Sequence, residues 1–400
     1  MIVKMTSFLN IRNHFNEYIW PGLGLFGESY LLFSIGTIRP IWEILYPKCF
    51  VTGEICSHGL LSSLTYSVVT GIIFGMIIIG MIAGRIGRRN GSITTGALMA
   101  FGSIGLTFGS FKFQVDPQAM LKNLTLFLFI FGIGVGGEYP LSASTASERA
   151  MSEMKERLQC MEDESYSNQN LASEELMPNQ VGPSNFDLQI DGRGKRVIFV
   201  FSMQGMGIFV NTLTLTLLLY FTGQFGQKKE NDQYYNFDDG NDYYYQGLYY
   251  DNNVLLKIWQ AVYVIGSIIL IYVLSSRWIH LEESIVWQED KLKRQNVINA
   301  EKNEYCPPLG NKYFVENREV EKNMLEMPIG YSRARLMMLT YGPRLFGTSF
   351  SWLLWDVAFY GNKLFQSSFI YALTGDEATL LEISSGKLFL CQVRFNMYYM

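Results

Sequence analysis

Charge is what this chain of 400 residues has little of: Asp, Glu, Lys and Arg make up 17% of it, against 48% hydrophobic residues. So few ionic side chains cannot coat a water-soluble protein of this size, and the apolar residues gather in long runs, which is a membrane composition. The formal net charge is -4 and no basic stripe occurs, which argues against nucleic acid as a partner. Histidine is found only at His14, His58 and His280, and the five cysteines are scattered, so no metal-ligand spacing exists and no cofactor is expected. Cys49 and Cys56 share one expected outer loop, where they could pair or remain thiols; Cys160 and Cys306 fall in expected cytosolic loops, where thiols stay reduced. No nucleophile–base pair marks an enzyme. The N-terminus is mixed polar and the first apolar run already carries Glu28, so no cleavable signal peptide is expected.

What is present is a series of seven apolar segments: Trp20 to Ile38, Leu60 to Ala83, Ile93 to Phe111, Leu124 to Ala146, Val197 to Phe221, Val254 to Leu274 and Leu345 to Ala372. Each is long enough for a transmembrane helix of about 20 residues, and the chain is expected to be an all-α, multi-pass membrane protein in a lipid bilayer. Arg85, Arg88, Arg89, Arg149, Arg193, Lys195, Arg196, Arg277, Arg333 and Arg335 fall on one side, which predicts that side, and the N-terminus with it, to be cytosolic. Three polar stretches (Ser152 to Asp191, Gln224 to Asn253, Arg277 to Arg335) read as mobile loops, either regulatory or simply solvated. After Leu373 one more helix begins, but the last residues are too polar to span.

The fourth segment carries the densest chemistry: Gly132-Ile-Gly-Val-Gly-Gly-Glu138-Tyr139-Pro140. Its glycines allow a neighbouring backbone or a ligand to come close, and Pro140 removes one helical hydrogen bond. A carboxylate at membrane depth costs several kcal/mol, so Glu138 should face the bundle interior or a water-filled path. Glycines serving packing alone, with a protonated Glu in a helix contact, remain the plainer reading. Glu28 and Asp356 are the other two acids at that depth. An anion bound beside such a group favours its protonated form, so proton and anion would bind cooperatively, which is the physical content of symport. Trp352, Asp356 and Tyr360 are spaced four apart and share one helix face, a wall of indole N–H, carboxyl and phenol for an oxygen-rich ligand. Aromatic packing against neighbouring helices accounts for the rings equally well, though less well for the carboxylate among them.

Several of these stretches resemble one family. Gly80-Met-Ile-Ala-Gly84-Arg85-Ile-Gly87-Arg88-Arg89 is similar to the short cytosolic loop of the major facilitator superfamily, Gly-x-x-x-Asp-Arg-x-Gly-Arg-Arg, with Gly84 in place of the Asp. Gly136-Gly-Glu-Tyr-Pro-Leu-Ser-Ala resembles the Gly-Gly-Asp-Tyr-Pro-Leu-Ser of its phosphate:proton symporters, and Gly24-Leu-Phe-Gly-Glu28-Ser-Tyr30-Leu31 their first helix. Met203-Gln204-Gly205 and Ser351-Trp352-Leu-Leu-Trp-Asp356-Val-Ala-Phe-Tyr360-Gly361 resemble their fifth and seventh helices. Arg277 with Glu282-Glu-Ser284 is a degenerate form of the Arg…Pro-Glu-Ser-Pro-Arg element that follows their sixth.

The resemblance implies the major facilitator fold. It implies a six-helix N-terminal lobe over 1–276, with a cytosolic insert at 151–192 and an outer loop at 224–253. A central cytosolic loop at 277–335 and an incomplete start of the second lobe at 336–400 would follow, a gene truncated in its second half. It further implies proton-coupled uptake of phosphate or a phosphate-containing solute across the plasma membrane. Tyr139, Gln204, Trp352, Asp356 and Tyr360 would bind substrate, and Glu28, Glu138 and Asp356 would carry protons. Gly84, Arg85, Gly87, Arg88, Arg89, Glu148, Arg149 and Arg196 would form a cytosolic gate. The family's Asn and Lys ligands in its later helices have no counterpart here, so a fragment that does not transport is the other expectation. Sugars, polyols or carboxylates are the alternative cargo, and a non-transporting membrane sensor or partner subunit is the alternative class.

Overall fold

In a computed structural model, residues 20–50, 52–169, 185–224, 227–228, 242–245, 248–289, 291–292, 295, 331–364 and 380 are described. The side chains at 20–21, 153–169, 185–193, 195–196, 331–337 and 360–364, and those of the strands up to 249, lie outside that description. The chain divides into one unit of residues 1–290 with 367–400 and a second of residues 291–366.

The first unit is a helical bundle. Helices α1 (Trp20–Leu32) and α2 (Ser34–Leu45) follow one another with only Phe33 between, and α3 is the single turn Pro47–Phe50. The sequence predicts one uninterrupted segment to Ile38; the structure breaks it and carries it on to Leu45. The physical cause is local: Ser29, Ser34 and Thr37 hydroxyls each bond a carbonyl three residues back, and Pro40 removes a donor, both of which bend helices. Helices α4 (His58–Ile86), α5 (Arg88–Lys112) and α6 (Pro117–Gln169) follow, then α7 (Asn185–Phe221) and α8 (Asn252–His280). Among the described residues, five helices are long and apolar enough to cross a membrane: α4, α5, α8, residues Pro117–Ser152 of α6 and Val197–Phe221 of α7.

Two expected loops are corrected. The stretch read as a polar loop from Ser152 is helical through Gln169, and helix resumes at Asn185. Met, Glu, Lys, Arg and Leu are strong helix formers, and nothing between Met151 and Glu164 stops the propagation of α6. The outer stretch Gln224 to Asn253, read as mobile, contains an antiparallel sheet of β1 (Gln227–Lys228), β2 (Asp242–Tyr245) and β3 (Leu248–Asp251) in the order β1-β3-β2. Tyrosine-rich strands suit a pleated surface, and Asp251 at the end of β3 caps α8 through bonds from the Asn253 and Val254 amides. Cys49 and Cys56, left open by the sequence, are joined in a disulfide.

Close contact organises the bundle. Between α4 and α6, Gly71 lies against Gly132, Gly75 against the Ile133 backbone and Gly136 against the Ile72 backbone: a Cβ on Gly71 would approach the Gly132 Cα to 3.1 Å, and one on Gly136 the Ile72 Cα to 2.9 Å. Small residues four apart on both helices permit this backbone approach. Helix α5 is tied to α8 by polar contacts inside the apolar surroundings: Thr107 to Ser267 at 2.7 Å, Ser267 to the Ser103 carbonyl, and Gln260 to the Ser110 carbonyl. Trp42 packs edge-on against Trp259, and Trp259 against Tyr263. The second unit contains α9 (Tyr331–Leu364), with Pro343 inside it.

Candidate functional site

Glu138 sits at the point where α1, α5, α6 and α8 converge, fully buried. Helix α6 delivers it, the glycines before it having brought α6 close to α4 and α5. Its Oε1 accepts from the Ser142 hydroxyl at 2.7 Å and from Arg277 Nη2; its Oε2 accepts from the Thr95 hydroxyl at 2.9 Å and from Arg277 Nη1 at 2.8 Å. Arg277 is 6% exposed and also donates to the Ser92 carbonyl at 3.0 Å. The result is a bidentate, charge-assisted pair with both carboxylate oxygens doubly bonded. A Cβ on Gly24 of α1 would overlap the Arg277 guanidinium and the Glu138 carboxylate, so the absence of a side chain there makes room for the pair.

Glu28 is one turn further along α1 and is also fully buried, but neither of its oxygens has a hydrogen bond of ordinary geometry. The Tyr139 hydroxyl, Glu138 and Arg277 are the groups that act on it. Beside it, Tyr139 is nearly buried, stacks on Phe201 with centroids 6.2 Å apart, and accepts from Gln204 Nε2 at 2.9 Å. The sequence-predicted residues Glu28, Glu138, Tyr139 and Gln204 are therefore brought together by α1, α6 and α7. Trp352 and Asp356 lie one turn apart on α9 in the second unit, where the Trp352 side chain hydrogen-bonds Asp356. The side chain of Tyr360 lies outside the described residues.

At the basic end of the bundle the expected gate residues divide. Arg88 pairs with Glu148, its Nη2 and Nε at 2.8 Å and 3.0 Å from Oε1. Arg89 donates to the Leu281 carbonyl at 2.7 Å and to the Trp278 carbonyl at 3.1 Å. Gly84 contributes only its carbonyl, which accepts from the Trp287 indole; Arg85 is exposed; the Arg149 backbone carbonyl accepts from Ser152. Gly87 adopts φ +98 between α4 and α5, a conformation glycine takes without strain. The Arg196 side chain lies outside the described residues.

Sequence reasoning missed three participants. Arg277, counted as a loop-flanking cation, is a buried ion-pair partner. Glu283, in the degenerate motif after α8, accepts from the Arg88 and Arg89 amides at 2.6 Å and 3.2 Å, a carboxylate on the N-terminus of α5. Asn211, two turns beyond Gln204 on α7, is fully buried; its Oδ1 accepts from Thr37 while its Nδ2 has no partner. An amide inside an otherwise apolar run was the available signal for Asn211, and it went unread.

Residues 27–165 match the family model described as sugar (and other) transporter. A probable inorganic phosphate transporter 1-9 of Arabidopsis thaliana is 26% identical over 88% of this chain and 57% of its own length. The low affinity inorganic phosphate transporter 5 of Petunia hybrida is 23% identical over 88% of this chain and 56% of its own. A probable inorganic phosphate transporter 1-10 of Oryza sativa is 31% identical over 34% of the chain. The chain thus spans a little over half the length of the first two. Among solved structures, that of a D-xylose-proton symporter superposes with a TM-score of 0.53 at 17% identity, covering 96% of this chain and 66% of that one, a likeness of fold.

Proposed function

We propose that the chain is a member of the major facilitator superfamily and serves proton-coupled uptake of inorganic phosphate or a phosphate-containing solute. The carrying observation is the cluster of buried Glu28, Glu138 and Tyr139 with half-buried Gln204 on three neighbouring helices. A bundle that needed only to pack would fill this position with apolar side chains, because uncompensated polar groups at membrane depth are costly. The names of the curated relatives supply the substrate class.

In this reading Tyr139 and Gln204 of the first unit are donors to phosphate oxygens, and Trp352, Asp356 and Tyr360 of the second are, taken by themselves, an oxygen-binding helix face. Glu28 and Asp356 exchange protons with water as cargo binds and leaves, which couples the two flows. The Arg88–Glu148 pair and the Glu283 anchor close the cytosolic end, with the N-terminus on that side and the plasma membrane as the location. Transport follows from alternating exposure of a site near the bilayer midplane.

The experiment is uptake of radiolabelled phosphate by the purified chain in proteoliposomes, with and without an inward proton gradient. Gradient-driven uptake is expected, lost in Asp356→Asn and strongly reduced in Gln204→Ala. Asp356→Asn uptake equal to the unsubstituted protein at every pH would overturn the site assignment.

A further inference from the structure

The three ionisable side chains buried between α1, α5, α6 and α8 do not balance in charge. Arg277 and Glu138 neutralise one another through two guanidinium arms, with Thr95 and Ser142 completing the carboxylate and the Ser92 carbonyl taking a further N–H. Glu28 is left over: buried completely, neither oxygen in a hydrogen bond of ordinary geometry, and beside Glu138, Arg277 and the Tyr139 hydroxyl. We propose that Arg277 is a positioning residue that keeps Glu138 ionised, so that the exchangeable proton of the first lobe belongs to Glu28 alone.

The argument is one of charge and hydrogen-bond count. With a proton on Glu28 the cluster is neutral. Moving that proton to Glu138 would leave a buried negative charge on Glu28, which has the Tyr139 hydroxyl beside it but none of the four bonds that hold the Glu138 carboxylate, and would disrupt that set of four. Two acids in one cluster are thereby given different tasks, and what separates them is a single arginine from α8. Arginine is suited to this, since it stays protonated in a dry setting and its planar fork matches both oxygens at once. The sequence placed Glu28 and Glu138 together in the proton path; the proposal leaves the exchangeable proton to Glu28.

The inference rests on reading the chain as proton-coupled, but its test does not need transport. Infrared difference spectra of the purified protein in lipid, recorded between acidic and alkaline pH, report each carboxyl through its protonated C=O stretch. Outside the bundle interior, surface acids contribute equally to every variant and cancel on comparison. Beside the band of Asp356, which every variant shares, one band from the bundle of the first unit is expected, lost in Glu28→Gln. In Arg277→Gln a second carboxyl band should appear as Glu138 takes up a proton; the double variant Arg277→Gln with Glu138→Gln, which removes both charges together and protects folding, should return to one band.

A band that survives Glu28→Gln and disappears in Glu138→Gln would overturn the proposal, as would the absence of any interior band across the pH range. If the bands behave as expected yet proteoliposomes take up no phosphate, only the transport reading fails. If uptake is proton-driven and Glu28→Gln leaves the coupling intact, the assignment of the proton fails alone.

Discussion

Gly75 offers the sharpest check of how the bundle is held together. An added Cβ there would lie 2.8 Å from the Ile133 carbonyl carbon and 3.0 Å from its Cα, closer than non-bonded carbon atoms tolerate, and the obstacle is backbone rather than a side chain that can turn away. Helices α4 and α6 would have to part by roughly 0.5–1 Å, a gap that forfeits a quarter to a half of the dispersion energy at each contact along the seam. Overpacking of this kind costs about 1–3 kcal/mol. Alanine is also a better helix former than glycine by about 1 kcal/mol, which would mask part of the loss. Gly80 removes that ambiguity, because it is in the same helix and a Cβ there meets nothing within 4 Å. The difference between Gly75→Ala and Gly80→Ala cancels propensity and isolates the seam. Thermal unfolding of the two purified variants in detergent, followed by thiol accessibility, should show Gly75→Ala the less stable by about 1–3 kcal/mol. Equal stability would refute the close-packed seam.

Two further outcomes are expected from the ends of the bundle. Cys49 and Cys56 should resist alkylation until reduced, and Cys49→Ser with Cys56→Ser should cost about 2–3 kcal/mol, the loop-closure value for so short a loop, read as earlier thermal unfolding. Glu283→Ala should cost about 0.5–2 kcal/mol by leaving the first amides of α5 without their acceptor, whereas Glu282→Ala, measured in the same unfolding assay, should change little.

Five of the seven expected spans, those in α4 to α8, were legible because a membrane imposes length and apolarity together. The limits expected for α4, α5 and α8 fall a few residues inside the observed ones, since helices continue into the polar boundary where apolar periodicity stops. The break at Phe33 was not legible: it depends on hydroxyls bonding their own helix, which apolarity does not register. Pairing of Cys49 with Cys56 needed the short turn of α3, which sets the two 4.7 Å apart at Cα. Of the site, the residues that bear an unusual group within an apolar run (Glu28, Glu138, Tyr139, Gln204) stood out. Arg277 did not, because positive charge near a helix end is the ordinary sign of orientation, and only three-dimensional packing turns this one inward.

Gly24 decides whether the ion pair is built in or incidental. Its position on α1 is the place where a methyl group would overlap both Arg277 and Glu138, yet the residue itself carries no charge and makes no hydrogen bond with either side chain. Gly24→Ala therefore perturbs the pair by shape alone. If the pair is an enclosed, fully bonded unit, the guanidinium cannot slide aside without losing the Ser92 carbonyl or one carboxylate oxygen, and partial rupture of a buried pair should cost a large share of the roughly 3–5 kcal/mol that full removal of one partner costs. Adding Glu138→Asp, which withdraws the carboxylate by one methylene, should then recover part of the loss even though Glu138→Asp on its own lengthens the pair and is destabilising. Such a sign reversal in unfolding temperature is a double-mutant coupling that independent sites do not produce. Simple additivity of the two substitutions would mean that the space beside Gly24 has nothing to do with holding Arg277 on Glu138.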